Sequence, residues 1–401
     1  MVTAWRRVAL PGRTSGFYER PVAAGATLAV SVSAEEAEPG AVPVVAVLDI
    51  DGSPAFTLSY DRAGRDVETS EPCVDADGTV RAAVYEHDVE LVVVGATRDG
   101  ALLPRTSLGS EYPLHASDSG PKLGTYIAAT SDGGFVVSYH YRQVRNYFVG
   151  KYRDGAPAAL WHLPELLVGV AREHLVTYTA PDRASRYRDF EIVGRTLDGV
   201  KRWELPGDER FVAGTTSDAV LVIDRSARAR EVSEYQLRAQ EAFISEYASE
   251  ADVDAADRYL PAAPTRVAWL DVATGVPRWE ANVAGDVLAA HATERMVAVI
   301  TNHAIVSWAG GVATTTPIAG IVYDRWPPSR TLPVIVGDHD GAVVWADDAG
   351  LHVEGSTIEL PCTIDGFHPN TRERALTKPN AIVAAGHVYV RDRDALWIHE
   401  L

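Results

Sequence analysis

The chain has 401 residues, 46% of them hydrophobic and 23% charged, with a net charge of −18 and two cysteines. That charge argues against uniform attraction to double-stranded nucleic acid or an anionic membrane, and Cys73 and Cys362 stand in no CxxC or Cys/His cluster that would mark zinc, haem c or an iron–sulfur centre. No apolar stretch approaches the roughly 18 residues of a membrane span, and short apolar runs bounded by Gly, Asp, Asn or Pro predict an all-β protein.

At the amino terminus, residues 1–10 hold Trp5, Arg6 and Arg7 but no apolar h-region and no small-residue cleavage site, so no export signal and a cytoplasmic location are expected. The first hairpin, Val45 to Phe56, turns at Asp51-Gly52, and the second, Val89 to Leu103, at Asp99-Gly100. Two strands, Thr125 to Ala129 and Phe135 to Tyr139, then flank Asp132-Gly133 and lead into the hairpin Tyr147 to Trp161, which turns at Asp154-Gly155. Phe190 to Trp203 repeats that hairpin around Leu197-Asp198-Gly199. The excess length between Arg225 and Ala263 contains a capping box, Ser233 with Gln236, and Val232, Tyr235, Ala239, Phe243 and Tyr247 at helical spacing. It predicts a helical insertion over 230–260, between the second and third strands of the fifth unit, which either covers the rim or meets a partner. Arg266 to Trp279 follows as the clearest hairpin, with Thr274-Gly275 at its turn, and then Ala304 to Thr314 around Gly310-Gly311, Ala342 to Leu360, and Ala381 to Leu401.

Two further strands precede each hairpin, and four strands at a spacing of roughly 35 to 55 residues are the period of a propeller blade. The sequence therefore predicts a single closed β-propeller over 1–401, with eight four-stranded blades. The last unit supplies only three strands, and Ala4-Trp5-Arg6-Arg7-Val8 matches the outer strands Lys201-Arg202-Trp203-Glu204 and Pro277-Arg278-Trp279-Glu280. A strand over 2–8 is expected to complete the final blade and remove its free edge. Leu270-Asp271, Thr274-Gly275 and Trp279, with Trp161 and Trp203 in the equivalent place, resemble the PQQ-like (quinoprotein alcohol dehydrogenase-like) propeller repeat. That family includes quinone-dependent dehydrogenases, membrane-assembly scaffolds and binding modules. The resemblance lies in blade-packing positions and does not extend to a cofactor site, since neither an export signal nor the adjacent-cysteine disulfide of the quinoprotein enzymes is visible. No cofactor is expected.

Catalytic signatures are sparse: there is no GxSxG, HExxH or Walker loop. The twelve histidines are dispersed, and Asp338-His339-Asp340 reads as a turn rather than a metal site because flanking carboxylates in a strand point to the other face. Charge placement is more informative. The loops from second to third strand and from blade to blade share one face of a propeller. On this chain they carry His140, Tyr141, Arg142, Arg145 and Tyr147, then Arg183, Arg186, Tyr187 and Arg188, then Arg225, Arg228 and Arg230. The inter-blade loops add Arg325, Trp326 and Arg330, then His368, Arg372, Arg374 and Lys378. Thirteen of the 37 basic residues fall on this one expected face. Arginine grips carboxylate or phosphate with a planar fork and stacks on aromatic rings, although Asp182, Asp189, Asp224, Asp324 and Glu373 stand close by in sequence to neutralise it. The function expected is a non-catalytic binding or scaffold propeller, monomeric, receiving an acidic protein or a small anionic ligand. The alternative is an enzyme, a lyase, hydrolase or isomerase working at the mouth of the central channel, with a quinone-dependent dehydrogenase third.

Overall fold

The computed structural model describes residues 4–12, 20–32, 40–63, 67–86, 90–108, 126–141, 146–179, 191–207, 210–224, 264–285, 287–301, 303–318, 333–364 and 379–401. These residues form eight sheets arranged as the blades of a propeller. Blade one is β2 (Val22–Ala24), β3 (Thr27–Ser31), β4 (Gly40–Asp49) and β5 (Pro54–Arg62). Blade two begins with two short pieces, β6 (Val67–Thr69) and β7 (Cys73–Val74), both paired with β8 (Val80–Glu86), and continues through β9 (Glu90–Ala96) to β10 (Thr106–Ser107). Blade three is β11 (Tyr126–Ala129), β12 (Phe135–Tyr141), β13 (Asn146–Tyr152) and β14 (Trp161–Leu163), and blade four is β15 (Glu165–Val170), β16 (His174–Thr179), β17 (Glu191–Thr196) and β18 (Lys201–Pro206). Blade five is β19 (Arg210–Thr215), β20 (Ala219–Asp224), β21 (Thr265–Asp271) and β22 (Pro277–Val283). Blade six is β23 (Val287–Ala292), β24 (Met296–Thr301), β25 (Ala304–Ala309) and β26 (Val312–Pro317). Blade seven is β27 (Val334–His339), β28 (Ala342–Asp347), β29 (Gly350–Val353) and β30 (Ser356–Ile358). Blade eight takes β31 (Ala381–Ala384), β32 (His387–Arg391) and β33 (Ala395–Glu400) from one end of the chain and β1 (Arg6–Ala9) from the other, in the order β1-β33-β32-β31.

Burial explains the pattern of each strand. Second strands are packed by neighbouring blades on both faces, so they read as nearly unbroken apolar runs, and every residue of β3, β8, β20 and β24 is buried. Outer strands alternate or face solvent throughout, as in β18, where Trp203 alone is buried, and β26, where all six residues are exposed.

Tryptophans on the outer strands of blades three, four and five tie each of these blades to the next. Trp161 Nε1 of blade three donates to the Leu197 carbonyl in blade four at 3.0 Å, and Trp203 Nε1 of blade four donates to the Val272 carbonyl in blade five at 2.7 Å. Each indole lies over the turn glycine of the next blade. Gly275 has φ +70°, a left-handed conformation that side chains resist, and a Cβ there would stand 2.7 Å from the Trp203 ring. Trp279 of blade five continues the series by packing on Trp308 of blade six, with ring centroids 5.0 Å apart.

Blades eight and one meet through a cluster of Leu28, Val30, Leu48, Ile382, Tyr389 and Ile398. β1 runs antiparallel to β33 with Arg6 opposite Ile398 and Ala9 opposite Ala395. Trp5, just ahead of β1, packs on His399 and donates from Nε1 to the Glu359 carbonyl at 2.8 Å. The segment 230–260, expected to be helical, lies outside the described residues.

Candidate functional site

Along the axis, backbone rather than side chain sets the chemistry. Among the described residues the innermost strand of each blade bonds to a single neighbour, β2 to β3, β11 to β12 and β31 to β32, and no described strand pairs with its other edge. Blades converge at the axis, where several of the innermost side chains are small. Ala23, Ala128, Ala129 and Ala384 border a cavity of about 760 Å³ enclosed by the inner strands of blades one, two, three, four and eight, within the range of about 300–1,000 Å³ typical of ligand sites. It follows β11 along its length, from Arg20, Glu71 and Tyr126 to Asp77, Ser131 and Arg172.

Glu71 reaches this wall because the inner strand of blade two is broken. Pro72 has no N–H to give to a ladder, so pairing with β8 stops at Thr69 and resumes at Cys73. Ser70 holds the break, its N–H donating to the Ala83 carbonyl at 2.8 Å and its Oγ accepting from the Ala83 N–H at 3.0 Å. Burial, with the Glu71 charge adding to it, pushes the Tyr126 phenol up to about 12, and Arg20 partly offsets both. Tyr126 is therefore a neutral hydrogen-bonding group at physiological pH. Burial likewise pushes Cys73 up to about 12, so this thiol on the cavity wall is not an activated nucleophile.

At the other end, Asp75 and Asp77 share a tight turn. Asp77 is held at about 2, first by its hydrogen bond with Asp75 and then by Thr79, while burial and the neighbouring Asp77 raise Asp75. Asp75 is also gripped by Arg81, whose NH1 lies 2.9 Å from its Oδ2 and whose Nε and NH2 form a fork on Asp154 of blade three at 2.9 and 2.8 Å. The exposed carboxylate at this mouth is Asp77, whose Oδ1 also accepts the Thr79 N–H at 2.9 Å.

Two other constellations occupy the described residues. His291 on β23 and Asp338 on β27 approach to 3.4 Å between blades six and seven, and His291 holds the Asp338 carboxyl below its ordinary value despite partial burial. Asp338-His339-Asp340 thus divides: Asp338 faces blade six, while Asp340 forms the turn tip with φ 45° and lies 3.7 Å from His339. On blade seven, His352 Nε2 lies 2.8 Å from Asp347 Oδ1 and its Nδ1 3.2 Å from the Thr357 hydroxyl, with the imidazole stacked on Trp345 at 3.8 Å. That is a carboxylate–imidazole–hydroxyl sequence, but Thr357 is exposed on an outer strand and none of the four residues borders the channel cavity. Among the described residues no group of three or more His, Cys, Asp and Glu is placed to hold a metal ion.

Of the residues expected to bind ligand, Tyr141 ends β12 opposite Asn146. Arg142, Arg145, Arg183, Arg186, Tyr187, Arg188, Arg325, Trp326, Arg330, His368, Arg372 and Arg374 lie outside the described residues. Sequence reasoning missed Arg20, Glu71, Tyr126, Asp77 and Arg172. Their signal was the alanine pairs Ala23-Ala24 and Ala128-Ala129 at the ends of inner strands, and the proline that interrupts blade two.

No known family's sequence profile matches the chain, and no curated protein matches it. Among solved structures it is similar to the Dos1 propeller, at 8% identity over 100% of this chain and 95% of that one, with a TM-score of 0.45. It is similar to the β-propeller domain of the Trilobed protease from Pyrococcus furiosus at 10% identity, over 82% of this chain and 90% of that one, with a TM-score of 0.45. Against a eukaryotic initiation factor the identity is 10% over 69% of this chain, the TM-score is 0.34, and the match spans 54% of that chain's length. None of these likenesses bears on what this chain binds.

Proposed function

We propose that this propeller is a non-catalytic binding module that receives an anionic partner, an acidic protein segment or a small anionic ligand, on the face where its second-to-third-strand and inter-blade segments emerge. The observation that carries the reading is a sorting of charge by turn. Among the described residues seven Asp-Gly pairs, at Asp51, Asp77, Asp99, Asp132, Asp154, Asp198 and Asp340, occupy first-to-second or third-to-fourth turns, each with its glycine at positive φ, while an eighth, Asp365-Gly366, lies outside the described residues. Those two kinds of turn share a face: Arg278 grips Asp218 in the first-to-second turn of blade five and Asp271 in its third-to-fourth turn, both at 2.9 Å. The thirteen basic residues belong instead to segments that leave the described strands at the opposite end. In a chain of net charge −18, the arginines gathered in those segments would steer an anion to them locally, away from the carboxylate-bearing turns.

We also read the repeats as PQQ-like, on the strength of tryptophans that dock over the turn glycine of the next blade. These positions hold blades together and carry no cofactor chemistry.

The test is a charge-reversal variant, R142E/R186E/R325E, measured against poly-L-glutamate. The wild-type protein should bind with an affinity that falls steeply between about 50 and 200 mM salt, where screening of exposed charges sets in. The variant should keep its circular dichroism and lose that binding. Equal binding by both proteins would remove the reading.

A further inference from the structure

The geometry points to the axial cavity as a slot for an extended peptide, a segment of about four small residues that adds to a free inner strand edge and is anchored by charge at both ends. This concerns the axis of the ring rather than its loop face, and stands whether or not an anionic partner binds there.

Three observations converge. First, the wall is built from strand edges. β2, β11 and β31 each end their sheet, so along each of them every second residue turns its backbone N–H and C=O away from the ladder and toward the axis. An exposed edge with donors and acceptors in strand register is what an extended chain pairs with. Second, several residues that line the open space are small, beside larger ones such as Ile127, Val170, Ile382 and Val383. Ala23, Ala128, Ala129 and Ala384 leave the backbone within reach, and the cavity of about 760 Å³ is wide enough to admit a chain beside them. Packing at a converging axis by itself accounts for small residues, but would favour a filled axis over an open one.

Third, each end of the slot offers one acid and one base. Arg20 and Glu71 stand at one end with the neutral Tyr126 hydroxyl, and Asp77 and Arg172 at the other. Between them lies the four-residue strand β11, which at about 3.3 Å per residue spans about 13 Å. A four-residue extended peptide has the same length, so its terminal ammonium and carboxylate arrive at opposite ends together. Because both ends carry both signs, the charges accept the chain in either direction, and the small walls set the preference for Ala, Gly, Ser or Val side chains.

The probe is the tetrapeptide Ala-Val-Ala-Ala with free termini, titrated calorimetrically into the full chain beside its N-acetylated, C-amidated form. Binding of the free peptide should be at least tenfold tighter than that of the blocked one. Ala129→Leu combined with Ala384→Leu should abolish it by filling the slot, with circular dichroism unchanged. Should that pair fail to fold, Arg20→Glu combined with Arg172→Glu, which removes the base from both ends, should weaken the free peptide about tenfold. Absence of binding at millimolar peptide, equal affinity of the blocked peptide, or binding that survives every folded one of these variants overturns the inference. None of these outcomes touches the poly-L-glutamate result, so the two readings fail separately.

Discussion

Replacing Arg81 with methionine should loosen the seam between blades two and three. Its side chain is 5% exposed and makes three charge-assisted hydrogen bonds, two to Asp154 in the β13–β14 turn and one to Asp75 in its own blade, while the guanidinium lies over the Phe135 ring at 5.6 Å. Burial pushes the guanidinium toward neutrality, but the hydrogen bonds it donates to both aspartates outweigh this and hold it charged. Removing one partner from a buried ion pair costs about 3–5 kcal/mol because the other charge is stranded. Here Asp75 and Asp154 are 21% and 22% exposed, so water recovers part of that cost and about 2–4 kcal/mol is the expected loss. A 401-residue unit unfolding cooperatively gains about 0.8 kcal/mol/K of entropy, from about 2.1 cal/mol/K per residue, so 3 kcal/mol lowers Tm by about 3–4 °C. Urea unfolding followed by circular dichroism and thermal melting should agree on that figure. Methionine at position 81 leaving stability equal to or above the wild-type value would show that desolvation cancels the network, and that the seam is held by Phe135 and its apolar neighbours alone.

Two other substitutions test separate parts of the construction. Gly275→Ala meets both a left-handed backbone and the Trp203 ring 2.7 Å away, and should cost about 2–4 kcal/mol through strain and overpacking, read as a lowered urea midpoint; a change below about 0.5 kcal/mol would refute the docking account of this tryptophan. Lys151→Met tests acid stability: partial burial would raise Asp132, but Lys151 at 2.6 Å and Thr130 hold it at about 2. A depressed carboxylate contributes stability above its ordinary value of 3.8 that is lost as pH falls toward 2. Because the Asp132 side chain is 39% exposed, the contribution is discounted for screening to about 1 kcal/mol. The variant should therefore be less stable at pH 7, with the difference vanishing between pH 4 and 2, and a difference independent of pH would contradict this.

The parts of the fold legible in sequence are those fixed by a single residue's backbone. Asp-Gly pairs announce hairpins because glycine enters the left-handed region freely while aspartate caps the turn, as Asp154-Gly155 and Asp198-Gly199 do. Second strands such as Ala219–Asp224 announce burial on both faces because they lack alternation. Contacts between blades were not legible in the same way. Arg81 meets Asp154 across 73 residues and His291 meets Asp338 across 47, and each meeting depends on where two strands stand around a ring. The break at Pro72 was readable as a fault in a strand, yet its consequence, Glu71 on the channel wall, follows only once that strand is known to be innermost.

Parity turns this one-dimensional text into a polarised object. With four strands in every blade, turns after odd-numbered strands open on one side and turns after even-numbered strands on the other, so a residue's face follows from counting rather than from its neighbours. Tight turns after odd-numbered strands favour Asp-Gly for conformational reasons alone, and seven described copies give that side carboxylates before any partner is considered. Two of these are tied down by a cation, Asp154 by Arg81 and Asp132 by Lys151, which makes them structural charges with little left to offer a ligand. Asp77 differs, being exposed beside the axial cavity. A channel that draws its charge from turn chemistry and its hydrogen-bonding edges from strand ends needs no dedicated motif to bind a peptide, which is why a search for motifs would pass over it.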